Sequence, residues 1–329
     1  MKKSLAETRE RQRSALPSNK KHFRYTQYSI NTVLHLHRSL TIINRKNMNN
    51  LSRAKLLAVV CRKLEQQKRR PLISDPQAGP LLKGLCSENE IAALEKHRSL
   101  ESLLDIVAVS THQLDIWLDR PSFPPLRTTR RQFVLIGSGV DTRPFRLGFS
   151  QYSHTVFEVD ADDSLLQEKH NVLAHADFRP RCAVKLVGAD PNDVGAIETK
   201  LISAGFDPRV PTRWLVEDTL AHMSPDARQA LFSLASRMGG VAGSGFAAQL
   251  VDHTYIQHLS SILPKDQASS MLPPLENAHI AEDSLSQLAD AGWTNVRARR
   301  QAELTEATGR STHPGFALIS GDADPLSAI

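Results

Sequence analysis

QFVLIGSGVDTRPFRL, residues 132–147, is the stretch whose reading decides the fold. Residues 133–136 are a short apolar run without a polar break, the pattern of a strand buried on both faces. Gly137-Ser138-Gly139 stops the run. Two glycines one residue apart permit a tight turn and let backbone approach a ligand without a Cβ in the way. A second run, residues 155–159, ends in Asp160. A glycine turn after one strand and a carboxylate ending the next is the geometry that holds a ribose-bearing cofactor. Thr142 stands where the dinucleotide fingerprint needs a third small residue, which argues against nicotinamide.

Downstream, strands are expected at 183–187, 213–216 and 246–250, with 296–298 and 316–319 as closing strands. Helices are expected at 164–174, 193–204, 225–238 and 283–291. Strands alternating with helices imply a mostly parallel sheet. Upstream, Leu51, Ala54, Leu57, Ala58, Cys61 and Leu64 recur at three and four and predict a helix over 49–64. Residues 88–97 and 100–118 also read as helices, and the prolines of 121–125 mark a linker. Residues 23–43 hold apolar residues without a period.

Three cysteines in 329 residues, with no Cys-x-x-Cys pair, argue against a disulfide framework or zinc site and fit a reducing compartment. Cys182 reads as a core residue. No run of eighteen apolar residues exists, so no membrane span is expected. The net charge of +6 is uneven, with no Asp or Glu between Arg11 and Leu64. Such a terminus suits a transit peptide, a nucleic-acid arm, a patch for an acidic partner or a solvated extension.

The string GSGVDTRPFRL at 137–147, with FEVD at 157–160, resembles the leucine carboxyl methyltransferase family and its bacterial relatives. The resemblance spans roughly residues 48–250 and fades beyond them. It implies an α/β fold: a Rossmann-like S-adenosylmethionine-dependent methyltransferase sheet with an added N-terminal helical layer. The expected organisation is a basic, disordered extension over 1–47, a helical layer over 48–131 that covers the cofactor and substrate sites, and the Rossmann-like core over 132–329.

The resemblance also implies roles for single residues. Gly137 and Gly139 would line the cofactor, and Asp160 would accept from its ribose hydroxyls. Asp160 could instead cap the following helix. Gly188-Ala189-Asp190-Pro191-Asn192-Asp193 resembles the family's Gly-Ala-Asp-Leu-Arg-Asp, so Asp190 would meet the adenine amino group and Pro191 would pack on the ring. An N-cap is the competing role for Asp190. The segment PTRWLVEDTLAHM at 211–223 resembles the family's Pro-Thr, apolar strand, Glu-x-x-Leu-x-Tyr-Met. Glu217 would then lie beside the cofactor's methionine end. His222 stands where the family has Tyr, as a candidate substrate contact or a packing histidine. Ser110 takes the place of a family Arg that grips the cofactor's carboxylate, and Arg53 matches a further basic residue near that end. Asp75-Pro76 resembles the Asp-Pro-x-Ala turn ahead of the glycine motif.

The expected activity is S-adenosylmethionine-dependent carboxyl methylation. The family implies the C-terminal leucine carboxylate of a type-2A protein phosphatase catalytic subunit as acceptor. A carboxylate is already ionised at neutral pH, so alignment and exclusion of water suffice and no general base is expected. The competing readings are methylation of a small-molecule hydroxyl or carboxyl, and a divergent, cofactor-weak binding protein, motivated by Ser110 and His222. A cytoplasmic monomer without nucleic-acid, membrane or metal partners is expected.

Overall fold

A computed structural model describes residues 50–120, 130–263, 272–274 and 281–323, with the side chains of 50–53 and 281–282 excepted. The expected extension over 1–47, the proline linker and the side chain of Arg53 lie outside the described residues.

The described residues open with four helices: α1 (Asn50–Glu65), α2 (Ala78–Leu85), α3 (Glu88–Glu95) and α4 (Leu100–Asp119). There follow β1 (Arg131–Ile136), the single-turn α5 (Arg143–Arg146), β2 (His154–Asp160), α6 (Asp163–His175), β3 (Ala183–Gly188), α7 (Val194–Ser203) and β4 (Thr212–Val216). Then come α8 (Pro225–Gly239), β5 (Gly245–Val251), α9 (His253–Ile262), α10 (Ala281–Asp290), β6 (Thr294–Arg300), α11 (Gln301–Thr308) and β7 (Phe316–Asp322).

The sheet has seven strands in the order β3-β2-β1-β4-β5-β7-β6. The first five are parallel, and β7 runs antiparallel between β5 and β6. The expected α/β methyltransferase-type sheet is therefore present, and both closing strands pair where they were expected to. Alternate residues of the central strands feed opposite faces, as a period of two requires. Val134 and Ile136 of β1, with Trp214 and Val216 of β4, pack with α7, α8 and α10. Phe133 and Leu135, with Leu215, pack with α4, α9 and α11. Helices on both faces explain why these strands read as continuous apolar runs. Cys182 belongs to the second of these cores.

Among the described residues, four helices escaped the sequence reading: α2, α5, α9 and α11. In α2 the reason is compositional, since Gly79 and Gly84 lower helix propensity within eight residues. Gly84 is there for contact: a Cβ on it would come 2.2 Å from Val172 of α6. In α9 the start signal is Asp252, whose carboxylate accepts from the amides of Thr254 and Tyr255.

The helical layer is tied to the sheet by buried charge. Asp75, in the Asp-Pro turn before α2, accepts from Arg62 Nε of α1 at 2.8 Å and from Thr142 Oγ1 of the glycine segment at 2.7 Å. Arg62 also donates to the carbonyl of Val140. One turn thus holds α1 against the loop that follows β1.

Candidate functional site

In this strand order the chain leaves β1 toward β2 on one side and places β4 on the other. Such a switch point opens a crevice at the carboxyl ends of the strands. The loops after β1 and β4 meet there. A small crevice of about 50 Å³ is lined by Lys55, Gly137, Ser138, Asp141, Glu217 and Asp218, among others.

The glycine turn is built as its sequence suggests. Gly137 and Gly139 both have positive φ, 69° and 34°. A Cβ on Gly137 would fall 1.8 Å from Thr219 Oγ1, so only glycine lets the β4 loop pack on the turn. Asp160, at the end of β2, accepts from the Gly139 amide at 2.8 Å. Its other oxygen accepts from the Asp162 amide at 3.0 Å. The cap of α6 is Asp162, which accepts from Leu165, so Asp160 is not spent on capping. Glu158, two residues earlier on β2, is instead locked by Lys169 at 2.5 Å and His170 at 2.6 Å.

Lys55 of α1 was missed in the sequence, where it reads as a solvent-side lysine on an amphipathic helix. Its ammonium lies 2.5 Å from Asp160 Oδ2. A Cβ on Gly139 would meet its side chain at 2.6 Å. The aliphatic stem therefore crosses the glycine turn to reach the carboxylate.

At the other wall, Arg143 of α5 organises three carboxylates. It donates to Asp115 at 2.7 Å, Asp141 at 2.6 Å and Glu217 at 2.5 Å, and its side chain is 2% exposed. Burial alone would raise the Asp141 carboxyl, but Arg143 and then Arg146 outweigh it and bring the group down to about 2. The Arg143 guanidinium is pushed well above its ordinary value, because Asp141, Glu217 and Asp115 overcome the cost of burial. Ser110 Oγ lies 3.0 Å from Glu217 Oε1 and 2.8 Å from Gln249 Oε1. Ser110 thus sits beside Glu217, and the guanidinium that reaches Glu217 is that of Arg143.

Asp190 and Pro191 follow β3, next to β2, with the Ala189 amide bonded to the carbonyl of Asp160. Asp190 is exposed, and its carboxylate accepts from its own turn at Asn192. The N-cap of α7 is Asp193, so the competing capping role of Asp190 is not the one seen. Neither residue lines the crevice.

A second, apolar cavity of about 130 Å³ adjoins the crevice. Leu57 of α1, Leu103 and Ile106 of α4, and Tyr255 and Leu259 of α9 form much of its wall. His222 lies at its edge, where burial and then the Lys55 charge hold the imidazole below its ordinary value. The two cavities share three residues: Lys55, Ala58 and Asp218. Asp218 was quoted in the sequence motif without a role. The signal that could have found it is a second carboxylate directly after a strand-end glutamate.

The residues present fit a ribose-bearing cofactor in the crevice. Asp160 keeps an unused acceptor position beside its three bonds, and the glycine turn leaves backbone open. Ser138 Oγ, in the crevice wall, is buried without a partner among the described residues. No group of His, Cys, Asp and Glu that could hold a metal is found among the described residues. No helix among them is long and apolar enough to cross a membrane.

A family model for leucine carboxyl methyltransferase matches residues 55–236, more than half of the chain, and the chain belongs to that family. A protein of Saccharopolyspora erythraea described as "Putative S-adenosyl-L-methionine-dependent methyltransferase" is 32% identical over 180 residues, 54% of this chain and 60% of the relative. The chain thus spans less than two thirds of that relative's length. A relative from Mycolicibacterium smegmatis with the same description is 30% identical over 280 residues, covering 81% of this chain and 91% of the relative. One from Mycobacterium marinum is 28% identical over 294 residues, 82% and 89% of the two chains. The family expected from residues 137–147 and 157–160 is the one found.

Proposed function

We propose that the chain transfers a methyl group from S-adenosylmethionine to an oxygen atom of an acceptor seated in the apolar cavity. The observation that carries this is the junction: a polar crevice at the switch point and an apolar cavity meet at Lys55, Ala58 and Asp218. Gly137, Gly139 and Asp160 would hold the ribose. Asp190 and Pro191, beside the β2 end, would meet the adenine. Glu217 would accept from the methionine ammonium, and Arg53 belongs on the same side through the resemblance alone. When bound, the cofactor supplies an activated methyl on a sulfonium. The protein's part is to orient that methyl toward the cavity and to keep water out with the leucines of α1, α4 and α9.

An acceptor that fits is apolar with a terminal oxygen. The C-terminal leucine of a type-2A phosphatase catalytic subunit is one such group, and two features favour it as a second reading. The cavity wall suits an isobutyl side chain, and Lys55 at the junction can offset a carboxylate. Calorimetry should show micromolar-class binding of S-adenosylmethionine, lost in Asp160→Ala. Labelled methyl transfer would then be followed into the phosphatase subunit, into the same subunit lacking its final leucine, and into small apolar alcohols and acids. Transfer that needs the final leucine establishes the protein carboxylate. A protein that binds the cofactor and methylates none of these is not the enzyme described.

A further inference from the structure

We infer that Asp218 is a general base and that the acceptor is an alcohol or phenol on an apolar skeleton rather than a carboxylate. The inference rests on the apolar cavity being the acceptor's seat. Asp218 follows Glu217 with φ 57°, a left-handed conformation that Asp and Asn adopt more readily than other residues with a side chain. Here the bend turns the chain so that Glu217 faces Arg143 and Ser110 while Asp218 faces the junction of the two cavities. Gln249 Nε2 of β5 donates to Asp218 Oδ1 at 2.5 Å, and the Gln249 carbonyl oxygen is in turn fixed by Ser110 at 2.8 Å. No other hydrogen-bond partner of Asp218 is found among the described residues. The carboxylate is therefore oriented, and one oxygen is left for a ligand.

Its charged surroundings decide its basicity. Asp218 is open to solvent in the crevice, yet the protein packed around it and then Glu217 raise its carboxyl to about 6; Gln249, Arg62 and Arg143 pull the other way without cancelling this. Cys61 of α1 and Tyr255 of α9 also face it, and both are held neutral by burial. Lys55 and His222 line the same cavity, the latter neutral. A carboxylate ionised at neutral pH, yet more basic than usual, suits the removal of a hydroxyl proton. An acceptor carboxylate would need no base and would meet the like charge of Asp218, while the Lys55 ammonium at the same junction is already paired with Asp160 at 2.5 Å. In the step, the acceptor's oxygen forms a bond to the methyl carbon while the carbon–sulfur bond breaks. That electron pair stays on sulfur, which becomes a neutral thioether, and Asp218 takes the hydroxyl proton and later passes it to water.

The test uses matched probes, 2-naphthol with 2-naphthoate and 1-octanol with octanoate. The first measurement needs no cofactor. Fluorescence titration at pH 7.5 should show naphthol bound at least about tenfold more tightly than naphthoate, as a like charge in the cavity demands. Asp218→Asn keeps a residue that tolerates positive φ and removes the charge, so naphthoate should gain affinity and the gap should close. The second measurement is methyl transfer. The alcohols should yield methyl ethers and the acids little ester, with kcat/KM rising through a midpoint near pH 6. Asp218→Asn should lower kcat about 10²–10³-fold at saturating S-adenosylmethionine. Esters forming as fast as ethers, an unchanged kcat in Asp218→Asn, or no transfer from bound cofactor to any probe would each overturn the inference. Failure to bind the cofactor would instead remove the methyltransferase reading, and the naphthol preference would still be decided by the first measurement.

Discussion

The crevice and the cavity share three residues and are made in opposite ways. The crevice takes its groups from strand ends and the loops after them: Gly137 and Ser138 after β1, Glu217 and Asp218 after β4. Asp160, which closes β2, bonds the Gly139 amide on its rim. The cavity takes half of its wall from α1, α4 and α9, which lie far apart in sequence and supply leucines, isoleucine and tyrosine. In one region chemistry is fixed by the sheet, and in the other shape is fixed by helices laid over it. Substitutions should therefore separate cofactor binding and stability from acceptor choice.

The largest effect is expected at Arg143. Arg143→Ala leaves Asp115, Asp141 and Glu217 without their shared cation. Removing one partner of a buried ion pair costs about 3–5 kcal/mol. Chemical denaturation should show a loss of that size, and an unchanged midpoint would mean that the three carboxylates are stabilised elsewhere.

Next comes Asp160→Ala, which removes the acceptor of the Gly139 amide and of Lys55. Charge-assisted hydrogen bonds are worth about 1.5–3 kcal/mol each, so S-adenosylmethionine affinity should fall roughly ten- to a hundredfold or more by calorimetry. Equal affinity would move the ribose away from β2.

Acid titration probes the same wall. The Asp141 carboxyl is depressed from 3.8 to about 2. A depressed carboxyl stabilises the fold above its unfolded value and loses that contribution as pH falls through its folded one. The share is roughly 2 kcal/mol at 1.36 kcal/mol per pKa unit. Asp141→Asn should thus be less stable at pH 7, and its stability should change less between pH 4 and pH 2. Parallel curves for the two proteins would remove Asp141 from the acid response.

The smallest effect is expected at Ser110. Ser110→Ala deletes one hydroxyl shared between Glu217 and Gln249, worth about 1 kcal/mol. Cofactor affinity should change little, because Arg143 already holds Glu217. A tenfold loss of affinity would show that Ser110 retains part of the role held by Arg in the family pattern.

The division between the two regions is also the division between what the sequence disclosed and what it concealed. Gly137, Gly139, Asp160 and Glu217 sit at fixed offsets from apolar runs, and a strand end converts an offset into a place. Lys55 could not be found in that way, because only the packing of α1 over the glycine turn brings its ammonium to Asp160. In α9, separated from β5 by Asp252 alone, the boundary signal is that single capping residue, which the sequence reading passed over. Asp218 stood in plain view beside Glu217. Its role depends on a backbone reversal that composition does not announce. Arg53 gained its place from alignment alone, and its side chain lies outside the described residues.

Arg213 carries a consequence for access to the cavity. From β4 its guanidinium donates to the carbonyls of Trp117 and Leu118, and at 2.6 Å to that of Arg120, while lying 5.5 Å from the Trp117 ring. Burial, then Arg120 and Arg131, draw the group down to about 9, still protonated at neutral pH. These carbonyls end α4, where a helix accepts positive charge. The helix that carries Ser110 and the strand that leads to Glu217 are in effect pinned by one rivet. To swing α4 aside would expose three carbonyls and strand a cation. The wall of the cavity that α4 supplies is therefore a fixed jamb, held to the sheet at the end nearest β4.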